Sequence, residues 1–90
     1  MTPEQALSKA IRIYRLEADL SQEQLAERCD MDQTYLSQIE RNKRQPSLKV
    51  LRKIAAALGV SLSDLFMNAE VREKEADYKV LAANVLTNFI

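Results

Sequence analysis

Within the segment DQTYLSQIERN, residues 32–42, Gln33, Thr34, Ser37 and Gln38 fall at i, i+1, i+4 and i+5, while Leu36 and Ile39 take positions between and beyond them. Wound as a helix, the segment sets the four polar side chains on one side and the two apolar ones on another. Gln can bond an adenine edge in two places, and the Ser and Thr hydroxyls donate to or accept from several bases, with the Thr methyl able to touch a thymine. A face meant only for solvent usually carries Lys and Glu, so an ordinary helical hairpin is the weaker reading. Directly behind comes a basic run, Arg41, Lys43, Arg44, Lys49, Arg52 and Lys53, uninterrupted by any acidic residue. Cations at that density suit phosphates.

The whole chain of 90 residues balances 13 Lys and Arg against 13 Asp and Glu, so the charge that matters is its distribution. Asp64, Glu70, Glu73, Glu75 and Asp77 gather toward the C-terminal end, which leaves one part of the chain basic and the other acidic. With no His, one Cys and one Gly, the sequence offers no Cys/His catalytic pair, no zinc cluster and no Gly-rich phosphate loop. No enzyme, metal or cofactor is expected. Cys29 reads as a small buried hydrophobe, and the lack of a disulfide framework, signal peptide or bilayer-length apolar run points to a soluble cytoplasmic protein.

The elements that must position the polar face are helical throughout, because helix formers dominate and Gly and Pro are scarce. Thr2, Pro3 and Gln5 start a first helix that runs to about Ala18. Ser21 and Gln24 repeat the capping box for a second, with Leu25, Ala26 and Cys29 as its apolar face, ending near Asp30. Asp32 caps the third. Ser47 opens a fourth with the stripe Leu48, Leu51, Ile54, Ala55 and Leu58, stopped by Gly59, and Ser61 with Asp64 caps a short fifth through Leu65 and Phe66. The second and third helices, Gln22 to Cys29 and Gln33 to Arg41, have the spacing of a helix-turn-helix. The tail repeats an apolar residue at helical intervals through Tyr78, Leu81, Ala82, Val85, Leu86 and Phe89.

With these pieces in order, the stretch from Leu7 to Phe66, above all SQEQLAE, YLSQIERNKRQPSL and IAAALGVSLSDL, resembles the phage-repressor/Cro-like (XRE) helix-turn-helix family, and DQTYLSQIERN is also similar to the controller proteins of restriction–modification systems. The resemblance implies a five-helix, all-α repressor-like DNA-binding domain over residues 1–68, and the apolar spacing of the tail adds a C-terminal amphipathic helix over 69–90 that the controller proteins typically lack. The resemblance also implies double-stranded DNA as partner, with Gln33, Thr34, Ser37 and Gln38 reading bases. Gln22, Tyr35, Asn42, Lys43, Arg44, Ser47 and Lys49 then become backbone or phosphate contacts, and Arg15 and Glu40 a structural ion pair between the first and third helices. Asp30 and Asn42 stand where the family often has Gly; both types tolerate positive φ, so these turns stay feasible.

The tail stripe can fold back onto the five-helix body as extra core or pair with its twin from a second chain; because a lone helix-turn-helix reads only a few base pairs, homodimer formation on a pseudo-palindromic operator is the favoured reading. The expected function is a sequence-specific transcriptional regulator of the repressor kind. The alternative is an antitoxin or adaptor whose C-terminal helix binds a partner protein.

Overall fold

The computed structural model describes residues 2–66; the expected C-terminal helix and its stripe lie outside the described residues. Four helices follow one another, α1 (Pro3–Glu17), α2 (Gln22–Arg28), α3 (Gln33–Glu40) and α4 (Leu48–Leu58), and a fifth, α5, occupies 62–66. There is no strand among the described residues, and no helix there is long and apolar enough to cross a membrane.

Each helix starts on a side-chain cap. Thr2 and Ser21 form reciprocal capping boxes with Gln5 and Gln24, Ser47 accepts from the Val50 N–H at 3.2 Å, and Ser61 and Asp64 bond each other's backbone N–H at 2.9 and 3.1 Å.

The helix ends are more uniform than the sequence suggests. After α1, α2, α3 and α4 the chain passes through a left-handed residue, respectively Asp19 (φ 58°), Asp30 (φ 52°), Asn42 (φ 56°) and Gly59 (φ 71°). In each case the next residue's N–H returns to a carbonyl five positions back: Leu20 to Arg15, Met31 to Ala26, Lys43 to Gln38 and Val60 to Ala55, at 2.8–3.1 Å. This paired-bond stop satisfies carbonyls that a helix end otherwise leaves bare. The sequence predicts positive φ at Asp30 and Asn42 but not at Asp19. The motif normally places an apolar residue just past the left-handed one. Leu20 is buried, and Met31 and Val60 pack on the core, but after α3 that place is held by exposed Lys43.

The core gathers one side of every helix. Ile11, Leu25, Leu36, Ile39, Ile54 and Leu65 are fully buried, with Leu7, Leu20, Ala26, Cys29, Leu51 and Ala55 around them. α3 packs against α1 and α2, and α4 packs across α2 and α1, so α3 is held along one face while the other stays outside. The Cys29 thiol lies in this core and donates to the Lys53 carbonyl at 3.7 Å; burial raises its pKa above the ordinary 9.0, with nearby Lys53 opposing.

One polar contact penetrates the core. Arg15 donates through Nε and Nη2 to the two oxygens of Glu40, at 2.8 and 2.9 Å, and through Nη1 to the Leu20 carbonyl at 2.9 Å. The two side chains are only 9% and 2% exposed. Removing one partner of a buried pair strands the other charge. Glu40→Ala is therefore expected to lose about 3–5 kcal/mol of stability, read as a lowered urea midpoint with the m-value unchanged. An unaltered midpoint would show that the pair contributes nothing.

Candidate nucleic-acid interface

The outward face of α3 is built from its cap onward. Asp32 accepts from the Thr34 N–H at 3.3 Å, which starts the helix, and Leu36 and Ile39 anchor it from behind. Gln33 and Thr34 are consequently exposed, whereas Ser37 and Gln38, a turn later, are half-buried. The Asp32 carboxylate also sits on the positive end of the helix dipole and uses one of its N–H groups. An anion of the chain itself thus already occupies this terminus.

The loop is fastened to the far end of the same helix. The Gln38 carbonyl accepts from the N–H groups of both Lys43 and Arg44, at 2.8 and 3.3 Å, and the Asn42 side-chain oxygen accepts from Gln45 Nε2 at 3.2 Å. The chain therefore folds back over the end of α3 and presents Lys43 and Arg44 as exposed cations beside Gln38. Tyr35 is half-buried against the core, and the Arg44 guanidinium stands 5.4 Å from its ring centroid, within cation–π range. The ring thus fixes where Arg44 starts from.

Gln22, the first residue of α2, is half-buried, and its Nε2 donates to Glu40 Oε1 at 3.3 Å. The side chain expected to anchor phosphate is thereby tied to the Arg15–Glu40 pair, with a second N–H donor left on the amide. Gln22, the α3 face and the loop accordingly meet through α3 and its end. Ser47 and Lys49 stand apart at the start of α4: the Ser47 hydroxyl is used as a cap, Lys49 is exposed, and no hydrogen bond joins either to the α3 set among the described residues. Tyr78, Leu81, Ala82, Val85, Leu86 and Phe89, expected to form a dimer contact, lie outside the described residues.

Known proteins share the two-helix unit and the fold around it. A helix-turn-helix family model covers residues 11–65. The chain belongs to the helix-turn-helix family. It is 46% identical over 63 residues to control protein C.MunI of a Mycoplasma species, a match that spans 70% of this chain and 85% of that one. The restriction–modification controller protein C.AhdI from Aeromonas hydrophila is 34% identical, with a TM-score of 0.67 over 68% of this chain and 92% of the other. The biofilm regulator SinR in complex with DNA gives 40% identity and a TM-score of 0.63 over 66% of this chain and 95% of that one, and SinR of Bacillus subtilis is an HTH-type transcriptional regulator. A phage immunity repressor and restriction–modification controllers thus both stand among the relatives, as the sequence pattern implied. Several curated relatives are longer, and this chain spans about half their length.

Sequence reasoning missed the bond between Gln22 and Glu40 and the stacking of Arg44 on Tyr35. Neither has a local signal, since each joins residues brought together only by the fold. The loop cations have little structural work to do by comparison with Glu40. Lys43→Ala is expected to change stability by less than about 0.5 kcal/mol, and Arg44→Ala, which gives up the contact with Tyr35, by about 0.5–1 kcal/mol. Thermal melts of the two variants beside Glu40→Ala check that order.

Proposed function

We infer that the protein is a sequence-specific, double-stranded-DNA-binding transcriptional regulator of the repressor kind that places α3 in the major groove. The observation that carries this reading is the exposed polar face of a short helix whose back is fixed in the core and whose end carries an exposed basic loop. Gln33, Thr34, Ser37 and Gln38 are of types that read base edges, and the loop supplies the phosphate grip that sets the register. Helix-turn-helix regulators and a DNA complex among the relatives support the same role. Gln22, Tyr35, Asn42, Lys43 and Arg44 form the backbone-contact set on this reading, with Ser47 and Lys49 extending it from the start of α4.

The proposal extends to a homodimer on a pseudo-palindrome whose half-sites lie about 34 Å apart, with residues 69–90 as the pairing segment. Its support is the helical spacing of Tyr78, Leu81, Ala82, Val85, Leu86 and Phe89, together with the limited reach of a single helix-turn-helix.

Selection of bound sites from random duplexes tests the regulator reading directly. On the selected site, Gln33→Ala and Gln38→Ala are each expected to lose about 1–3 kcal/mol where the wild-type contact is bidentate, with little loss on unrelated DNA. Lys43→Ala and Arg44→Ala should weaken all sequences alike and shallow the salt dependence by about 0.9 per lost phosphate contact. Equal losses on specific and random DNA from the Gln variants would remove α3 from base reading.

The dimer has its own check. Leu81→Lys combined with Leu86→Lys should give a folded monomer by sedimentation, with operator affinity much reduced. A variant that stays dimeric would place the interface elsewhere.

A further inference from the structure

At the C-terminal end of α3, an open cleft of about 620 Å³ runs between the N-terminal half of α1 and the α3–α4 loop. Lys9 and Arg12 line it from α1, and Arg41, Asn42 and Lys43 from the loop. The one carboxylate on its wall, Glu40, is already taken up by Arg15. Lys9, Arg12 and Lys43 are exposed, and none of them makes an ion pair among the described residues.

The pattern on α1 is unusual for a face that only meets water. Lys9 has Gln5, Ala6, Arg12 and Ile13 as its neighbours three and four positions away, and Arg12 has Ser8, Lys9, Arg15 and Leu16. No carboxylate stands at helical spacing from either, and the two cations are themselves an i, i+3 pair, with Cβ atoms about 5–6 Å apart. Like charges so placed repel and disfavour the helix slightly. A row of anions laid along the cleft converts that repulsion into attraction.

We propose that this cleft is a second phosphate-binding surface, outside the helix-turn-helix proper, in which Lys9 and Arg12 hold the continuation of the DNA strand that the α3–α4 loop grips. The inference rests on the regulator reading above and adds the contacts of α1 to it. DNA backbone is favoured over a small anion or an acidic protein because Asn42 and Lys43 belong to both surfaces, so a strand seated on the loop runs on into the cleft without a break. The cleft is also open along its length rather than closed around one ion, as a repeating polyanion requires.

The test compares the full chain with Lys9→Gln/Arg12→Gln and with a control of equal charge change elsewhere, Arg28→Gln/Lys53→Gln, by titrating the selected operator and an unrelated duplex over a range of salt. Arg28 and Lys53 lie together by Cys29, away from this cleft. The cleft variant is expected to weaken both duplexes by the same factor, to shallow the slope of log K against log salt by about 0.9–1.8, and to lose hydroxyl-radical protection at the phosphates next to those covered by the loop. Melting temperature and oligomeric state should match wild type. If wild type binds DNA but the cleft variant keeps the slope and footprint of the control, the cleft proposal is overturned while the regulator reading stands. If wild type itself binds no duplex, the regulator reading falls, and the cleft proposal falls with it.

Discussion

The buried pair of Arg15 and Glu40 is the directional contact that sets the α3 face against its neighbours. One guanidinium holds the last residue of α3 and the carbonyl of Leu20 in the turn between α1 and α2, and the same carboxylate receives the side chain of Gln22 at the start of α2. Three helices are thereby indexed to one another at a single point. Apolar packing alone is non-directional and tolerates sliding, whereas a two-pronged Arg–carboxylate contact fixes angle as well as distance. A buried pair of this kind is weak evidence for net stability. Its physical role here is to set where the polar face of α3 lies relative to α2 and to the loop.

A second constraint comes from the helix ends. Packing these helices into 65 described residues leaves room only for abrupt turns, and the chain uses one stop four times, with Asp19, Asp30, Asn42 and Gly59 in the left-handed conformation. Non-Gly residues resist that region, Asp and Asn least, and the two returning hydrogen bonds offset the strain. Three of the stops are sealed by an apolar residue, Leu20, Met31 or Val60. At the fourth, the carbonyl belongs to Gln38 and the sealing position to Lys43, both polar. The departure from the apolar rule falls where the chain presents its basic loop, a local inconsistency with an otherwise repeated plan.

Much of this is legible in the sequence because it is written in local signals. Ser21 with Gln24, Asp32, and Ser47 before Leu48 mark the helix starts, Gly59 marks an end, and the spacing of Leu36 and Ile39 assigns the faces of α3. Asp19 escapes, since the α1 pattern runs on through Ala18 and no glycine marks its stop. The cap at Asp32 is legible from its place before the helix, and its side chain is seen on the Thr34 N–H. Out of reach are the contacts that the helix packing and the loop's return create: Gln22 on Glu40, Arg44 on Tyr35, and Lys9 and Arg12 brought opposite Lys43. Each depends on how the helices pack and how the loop folds back, which no local pattern encodes.

The formal neutrality of the chain is resolved by asking what each charge is doing. Among the described residues, Asp32 and Asp64 are caps, Glu4 and Glu23 lie in first turns against the positive end of a helix dipole, Asp19 and Asp30 take left-handed stops, and Glu40 is engaged by Arg15. Of these, the carboxylates of Asp32 and Asp64 are engaged by backbone N–H groups and that of Glu40 by Arg15. The cations of α1 and of the loop carry no comparable structural duty, apart from Arg15 itself, Arg44 on its ring and Arg41, whose Nε donates to the Ser37 carbonyl at 3.4 Å. Because exposed charges act over about 8–10 Å at moderate salt, a partner approaching α3 meets the local excess of cations and not the sum over the chain. Neutral composition is therefore compatible with a surface that attracts a polyanion.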